Sequence, residues 1–305
     1  MRSRWRTVTY RVGVALLALG IYLLGFVIYE LVWSDYAETS AQRSFVAEIR
    51  HFYPHTMARA LNETAVHLPT GQPVSLPELG RFRGGAPIGV IEIPSIHLRQ
   101  VIVEGIDVGQ LRVGPGHYPS TPRLGSFGNV ALAGHRTTWG HPFRQLNELR
   151  RGDAIVITTD RGRFLYRVTR VDVVAPTDVA VLDPTRTPTL TLTTCNPPYS
   201  AATRLVVVSE LAAVDRFASV TPVTAPGAPA TTPSTSHTID GSSGGGGWWP
   251  VAFRLTVLTL LVSLGWRWRQ VSREPKLVTM FGVILFIPLL ISTYSALSWV
   301  LPAGY

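Results

Sequence analysis

Three long apolar blocks frame the chain, and short alternating runs fill its middle. The blocks cover residues 12–33, 248–266 and 277–301. Each is close to the ~20 residues a helix needs to cross a bilayer. The first predicts a retained signal anchor, because its flank from Tyr29 to Asp35 offers no small-residue cleavage site. Arg2, Arg4, Arg6 and Arg11 precede it, and Arg267, Arg269, Arg273 and Lys276 lie between the second and third blocks. Positive charge collects on the cytoplasmic side of spans, so three transmembrane helices with the N-terminus inside are expected. The tryptophans Trp248, Trp249, Trp266, Trp268 and Trp299 suit membrane interfaces. This topology predicts a multi-pass protein of the cell membrane with residues 34–247 extracellular.

Between the blocks the period of the pattern changes. Residues 36–59 have helical spacing and mixed polarity, as in a juxtamembrane stalk, and 68–86 is a Pro/Gly-rich lead-in. Strand-like runs follow at 88–93, 98–103, 129–133, 154–159, 163–174, 189–194 and 204–211, separated by Gly, Pro and Asp. Such runs predict an all-β barrel or sandwich. A short helix is expected at 143–149. The stretch 220–247 is dominated by Thr, Pro, Ala, Ser and Gly, which bury no core and make a flexible linker. The expected organisation is therefore 1–33 cytoplasmic N-terminus and anchor, 34–86 stalk and lead-in, 87–215 extracellular β domain, 216–247 linker, and 248–305 transmembrane hairpin with a basic cytoplasmic loop.

Charge and composition narrow the function. The net charge of +9 is explained by the basic flanks of the apolar blocks, so nucleic acid is not an expected partner. Glu92, Glu104, Asp107 and Asp172 are scattered, and neither a metal nor another cofactor is expected. A single cysteine excludes an intramolecular disulfide.

That cysteine ends the run Thr191-Leu192-Thr193-Thr194-Cys195, just before Asn196-Pro197-Pro198. Strand side chains alternate faces, so Leu190, Leu192 and Thr194 share one face and Thr191, Thr193 and Cys195 the other. Cys195 thus lies off the leucine face that a core would claim. A thiol needs a base or a positive neighbour to become a nucleophile. His135 follows the apolar run Val130-Ala131-Leu132-Ala133 and Gly134, and Arg204 opens the run Leu205-Val206-Val207-Val208. His117, within Gly114-Pro115-Gly116-His117-Tyr118, is a second candidate base in a loop-like setting. Taken singly, each has a plain alternative: an inert thiol, a turn histidine, a solvated strand-end arginine.

Together the motifs are those of a known family. The string Thr191-Leu192-Thr193-Thr194-Cys195 resembles the T-L-x-T-C signature of sortases, the cysteine transpeptidases of Gram-positive bacteria. The segment Asn129-Val130-Ala131-Leu132-Ala133-Gly134-His135-Arg136 is similar to the one that carries their histidine. Sixty residues separate His135 from Cys195 and nine separate Cys195 from Arg204, intervals usual for the family. Cys195-Asn196-Pro197, Gly134-His135-Arg136-Thr137-Thr138 and Gly114-Pro115-Gly116-His117-Tyr118 look most like the actinobacterial class E sortases.

The resemblance implies an eight-stranded sortase-type β-barrel with short helices. It implies that Cys195 attacks the threonine carbonyl of a C-terminal sorting motif on a secreted protein, Leu-Ala-x-Thr-Gly or Leu-Pro-x-Thr-Gly. A thioacyl enzyme would form, and the protein would pass to an amine of a peptidoglycan precursor or a pilin. His135 would act as acid and base, and Arg204 would stabilise the oxyanion or position the substrate. Tyr118, Thr194, Asn196 and Tyr199 are the candidate substrate-binding residues, and 174–189 the candidate substrate loop. Two other readings stay open: a pilin-polymerising sortase, and a non-catalytic membrane-tethered β-barrel binding module.

Overall fold

A computed structural model describes residues 13, 16, 20–30, 34–52, 82–216, 249–271 and 286–297. The chain divides into two compact units, one holding Met1–Trp33 and Gly245–Pro302 and the other Ser34–Gly244. The linker stretch 217–247 and most of the lead-in 68–86 lie outside the described residues.

In the larger unit eight strands close a barrel. They are β1 (Pro87–Ile93), β2 (Leu98–Glu104), β3 (Gly116–His117), β4 (Asn129–Ala133), β5 (Ala154–Thr158), β6 (Gly162–Val174), β7 (Thr189–Asn196) and β8 (Thr203–Arg216). The order round the barrel is β1-β2-β3-β4-β7-β8-β6-β5. Most neighbours are antiparallel, but β2 with β3 and β4 with β7 run parallel. Seven strands coincide with alternating runs in the sequence. The eighth, β3, is two residues long in a Gly/Pro setting, too short for alternation to register. Within the expected short helix, a 3-10 turn forms at Leu146–Glu148.

Alternation fills the barrel from every strand except the two-residue β3. Ile91, Ile102, Leu132, Ile155, Phe164, Tyr166, Leu190, Leu192 and Val207 belong to one buried core. Each such side chain contributes about 1.5–3 kcal/mol by leaving water. The outer face of β7 is buried as well: Thr191 and Thr193 are 1% and 2% exposed. A second cluster of Leu111, Tyr118, Ala131 and Ala133, with Leu182 against it, forms on β4 and the adjoining loops. Cys195 therefore stands at the end of a strand that is covered on both faces up to Thr194.

Helix α1 (Ser34–Phe52) covers the region read as a stalk up to residue 52, and residues 53–59 lie outside the described residues. Asp35 in its first turn and Arg50 and His51 in its last complement the helix dipole. It lies against the barrel. Ile49, with Phe45 and Val46 beside it, clusters with Val90 and Val101. The Gln42 amide donates to Val101 O (3.1 Å) and Val113 O (2.7 Å) and accepts from Val101 N (2.8 Å). A short helix, α2 (Val108–Leu111), follows β2.

The smaller unit corrects the membrane reading. Among the described residues no helix is long and apolar enough to cross a membrane. The expected three transmembrane helices are therefore not supported, nor is the multi-pass location at the cell membrane with an extracellular β domain. The reason is visible in α3 (Trp249–Val271), the longest described helix of the unit. Arg254 and Arg267 interrupt it, and the hydroxyls of Thr256, Thr259 and Ser263 bond to carbonyls one turn back in the same helix. The Arg254 side chain donates to Ser292 O at 3.1 Å. Of the blocks 12–33 and 277–301, the helical stretches 20–30 and 286–297 are described. The remainder of the blocks 12–33 and 277–301 is outside the described residues apart from positions 13 and 16. Tyr294 ties the two described stretches together, donating to Tyr22 O at 2.9 Å and contacting the rings of Phe26 and Tyr29.

Candidate active site

Strand register assembles the site. β4 and β7 run parallel with Ala133 opposite Thr193, so the chain leaving β4 carries His135 alongside Cys195. The departure is pinned twice: Gly134 N donates to Thr193 O (3.2 Å) and Thr194 Oγ1 donates to Gly134 O (2.8 Å). Gly134 has to be small, since a Cβ there would meet the Phe143 ring at 2.7 Å. On the other side of β7, the antiparallel β8 puts Arg204 directly opposite Cys195. Directly opposed residues project to the same face. His135, Cys195 and Arg204, distant in sequence, are thus brought to one end of three adjacent strands.

His135 is 6% exposed, and its Nε2 is buried with no hydrogen-bond partner. Burial lowers its pKa to about 4, and the charge of Arg112 adds to the effect. Both favour the neutral ring. Arg112 caps the C-terminus of α2, is 8% exposed, and stacks over Trp139 at 4.6 Å. The turn 139–141 is held by α1: Ser34 Oγ accepts from Trp139 N (3.3 Å) and Asp35 Oδ1 from Gly140 N (2.9 Å). Gly140 has φ +70°, and a Cβ there would collide with the Glu38 carboxylate. Glu38 is itself buried, and desolvation, then the charge of Asp35, raises its pKa to about 7.

Cys195 is half-buried and forms no disulfide. Arg204 is 6% exposed, and its Nη1 donates to Ala201 O (3.1 Å) and Thr203 O (3.3 Å), which orients the guanidinium on the loop after β7. His117 offers a contrast. It is buried on β3, with Nδ1 3.0 Å from Glu104 Oε2 and Nε2 2.9 Å from Pro122 O. Both ring nitrogens are engaged, so its position is that of a structural tie.

The other candidates fall on different surfaces. Tyr118 is buried, with its hydroxyl 3.0 Å from Thr193 Oγ1, two residues along the strand from the thiol on the same face. Thr194 belongs to the opposite, leucine face. Asn196 donates to Thr203 Oγ1 (3.0 Å) and accepts from Arg136 Nη1. Tyr199 is 64% exposed and adopts φ +62° in the loop after β7. A groove of about 890 Å³ reaches from this loop to the 136–148 segment, lined among others by Arg136, Thr137, His141, Asn147 and Tyr199. Among the described residues no cluster of three or more His, Cys, Asp or Glu could hold a metal ion.

Two residues that sequence reasoning did not single out belong to this site. Arg136 stands in the Gly-His-Arg string, but only the tertiary structure shows that it bonds to the Cys195 carbonyl and Asn196. Arg112 carries no sequence signal, because nothing local links the end of α2 to His135.

The chain can now be set beside known proteins. The family model described as "Sortase domain" matches residues 91–212, a stretch that begins in β1 and ends in β8. Sortase SrtE1 of Streptomyces coelicolor is 29% identical over 212 residues, covering 64% of this chain and 55% of that protein. Sortase D of Bacillus subtilis is 34% identical over 114 residues, 37% of this chain and 56% of that protein. The matches thus span little more than half of these curated relatives. The putative sortase YwpE of Bacillus subtilis is 36% identical over 91 residues, 30% of this chain and 87% of its own length. Among solved structures, sortase E from Streptomyces avermitilis is 37% identical over 44% of this chain and 93% of that one, with a TM-score of 0.41. The match to the domain model, and an identity of 36% sustained over 87% of a relative, show that the chain belongs to the sortase family.

Proposed function

We propose that this chain is a class E-like cysteine transpeptidase. It cuts a C-terminal Leu-Ala-x-Thr-Gly or Leu-Pro-x-Thr-Gly motif of a secreted protein between Thr and Gly. It then joins the threonine to an amine of the cell wall. The observation that carries the reading is the register that sets Cys195 between His135 and Arg204.

A cysteine thiol is ordinarily protonated at neutral pH. His135 is neutral there and has an unpartnered Nε2, so it takes the thiol proton as the sulfur attacks the threonine carbonyl. The carbonyl oxygen becomes an oxyanion, which the permanent charge of Arg204 stabilises. The imidazolium gives its proton to the glycine nitrogen as the C–N bond breaks, leaving a thioester. An incoming amine then attacks, His135 removes its proton, and the C–S bond breaks to regenerate the thiol. Splitting one transfer into two easier steps is the gain from covalent catalysis. Burial and Arg112 both oppose the imidazolium, so the doubly charged thiolate–imidazolium pair is a minor resting form. Tyr118 reads the residue after leucine in the motif, Thr194 supports the strand end beside the thiol, and Asn196 and the exposed Tyr199 border the entry.

The test is mass spectrometry of the full chain incubated with Leu-Ala-x-Thr-Gly and Leu-Pro-x-Thr-Gly peptides and a small primary amine. A Thr–amine product is expected from at least one peptide, and none from Cys195→Ala. A product that survives Cys195→Ala, or none with either peptide, ends the proposal.

A further inference from the structure

Arg136 follows the candidate acid–base histidine, yet its side chain points back along β7. Carbonyls alternate sides along a strand, and Thr193 O accepts from Gly134 N on the β4 side. Cys195 O, two residues on, faces the same side, where β4 has already ended at Ala133. No strand remains there to satisfy it. Arg136 Nη1 takes that place, donating to Cys195 O at 3.1 Å and to Asn196 Oδ1 at 2.5 Å. Its Nη2 donates to Asn147 Oδ1 at 3.0 Å, within the 3-10 turn of Leu146–Glu148. The residue is 5% exposed, so these bonds operate with little competition from water.

We propose that Arg136 is a positioning residue for Cys195. Its fork replaces the missing strand, fixing the backbone of the nucleophile and the Asn196 side chain against the 143–149 segment, and it sets a permanent positive charge beside the thiol.

The inference rests on Cys195 being the nucleophile. The charged and titratable groups placed around that residue are His135 and Arg136 beyond β4 and Arg204 on β8. Arg136 and Cys195 interact electrostatically. A fixed cation favours a thiolate. Geometry adds a second effect, since a planar guanidinium spans three acceptors and a lysine ammonium cannot reproduce the fork.

The full chain with Arg136→Gln, Arg136→Lys and Asn147→Ala separates these effects. Two readouts are needed: the pH profile of Cys195 alkylation by iodoacetamide, and kcat and KM for peptide transfer. Arg136→Gln is expected to move the alkylation midpoint to higher pH, to slow alkylation at pH 7 by about 10-fold, and to lower kcat at least as much with KM little changed. Arg136→Lys is expected to restore the alkylation profile but not kcat. Asn147→Ala, which keeps the charge and loosens the fork, is expected to lower kcat about 2- to 5-fold with the alkylation midpoint unmoved. A wild-type alkylation profile and kcat in Arg136→Gln overturn the proposal. If that variant does not fold, wild-type kcat in both Arg136→Lys and Asn147→Ala overturns it. Alkylation does not require turnover, so absent transfer with an intact, Arg136-dependent alkylation profile counts against the transpeptidase reading and not against this one.

Discussion

The barrel buries two histidines at strand ends, and their surroundings differ in one respect. Around His117, on β3, every ring nitrogen meets an acceptor: the Glu104 carboxylate on one side, the Pro122 carbonyl on the other. Around His135, past the end of β4, Nε2 meets none, and the nearby charge of Arg112 opposes protonation. Both are almost fully buried, at 2% and 6% exposed. Burial alone therefore does not identify the reactive histidine. A satisfied buried imidazole holds segments together. An unsatisfied one carries a desolvation cost without a structural return, which the proposed acid–base role beside Cys195 would explain.

The largest effect that would break this contrast is on turnover. His135→Gln is expected to lower kcat/KM for peptide transfer by about 10²- to 10⁴-fold, the range of general acid–base catalysis, with a small change in melting temperature. His117→Gln is expected to reverse the pattern. It strands the Glu104 carboxylate, which is 12% exposed, at about 1–3 kcal/mol, so Tm falls by several degrees while kcat stays within about 3-fold. If the two variants behave alike in both assays, the distinction has no basis.

A smaller effect sharpens it. With the pKa of His135 lowered to about 4, the acid limb of kcat/KM is expected to inflect near pH 4 and not near the ordinary histidine value of 6.5. Arg112→Gln removes the like charge and should move the inflection upward, by less than burial itself contributes. An inflection at 6.5 in the wild type would show that the ring is not desolvated in solution.

The smallest effect is on stability against pH, where His135 and Glu38 pull in opposite directions. Above pH 6.5 His135 is neutral in both folded and unfolded chains. Between 6.5 and about 4 only the unfolded chain takes up its proton, so this contribution is lost as pH falls. For Glu38 the folded chain keeps a proton that the unfolded chain has released between 4.5 and about 7, so its contribution is lost as pH rises. Glu38→Gln is expected to raise Tm by about 2–4 °C at pH 8 and by nothing measurable at pH 4. An equal gain at both pH values would show that the carboxyl is ordinary and that α1 is docked by its apolar face alone.

How much of this was legible beforehand differs by feature. Seven strands and the face on which Cys195 lies follow from alternation, whereas β3 needed its partners β2 and β4 to exist at all. The candidate triad of Cys195, His135 and Arg204 is read from strand ends and from the resemblance to sortases, while Arg136 and Arg112 carry no local signal because their contacts depend on segments far away in sequence. The membrane reading counted apolar letters and basic flanks. In the folded chain arginines interrupt the longest described helix of that unit, and among the described residues no helix meets the requirement for a span.

The sequence by itself determined which residues could alternate, bury and react: side-chain direction along a strand is a local property of the backbone, repeating every second residue. Only the tertiary structure decided which of them meet. Parallel pairing of β4 with β7 carries His135 to Cys195, antiparallel pairing with β8 carries Arg204 there, and the docking of α1 and α2 sets the groups behind the histidine. Desolvation and Coulomb interaction depend on distance in space, and no pattern along the chain reports that distance.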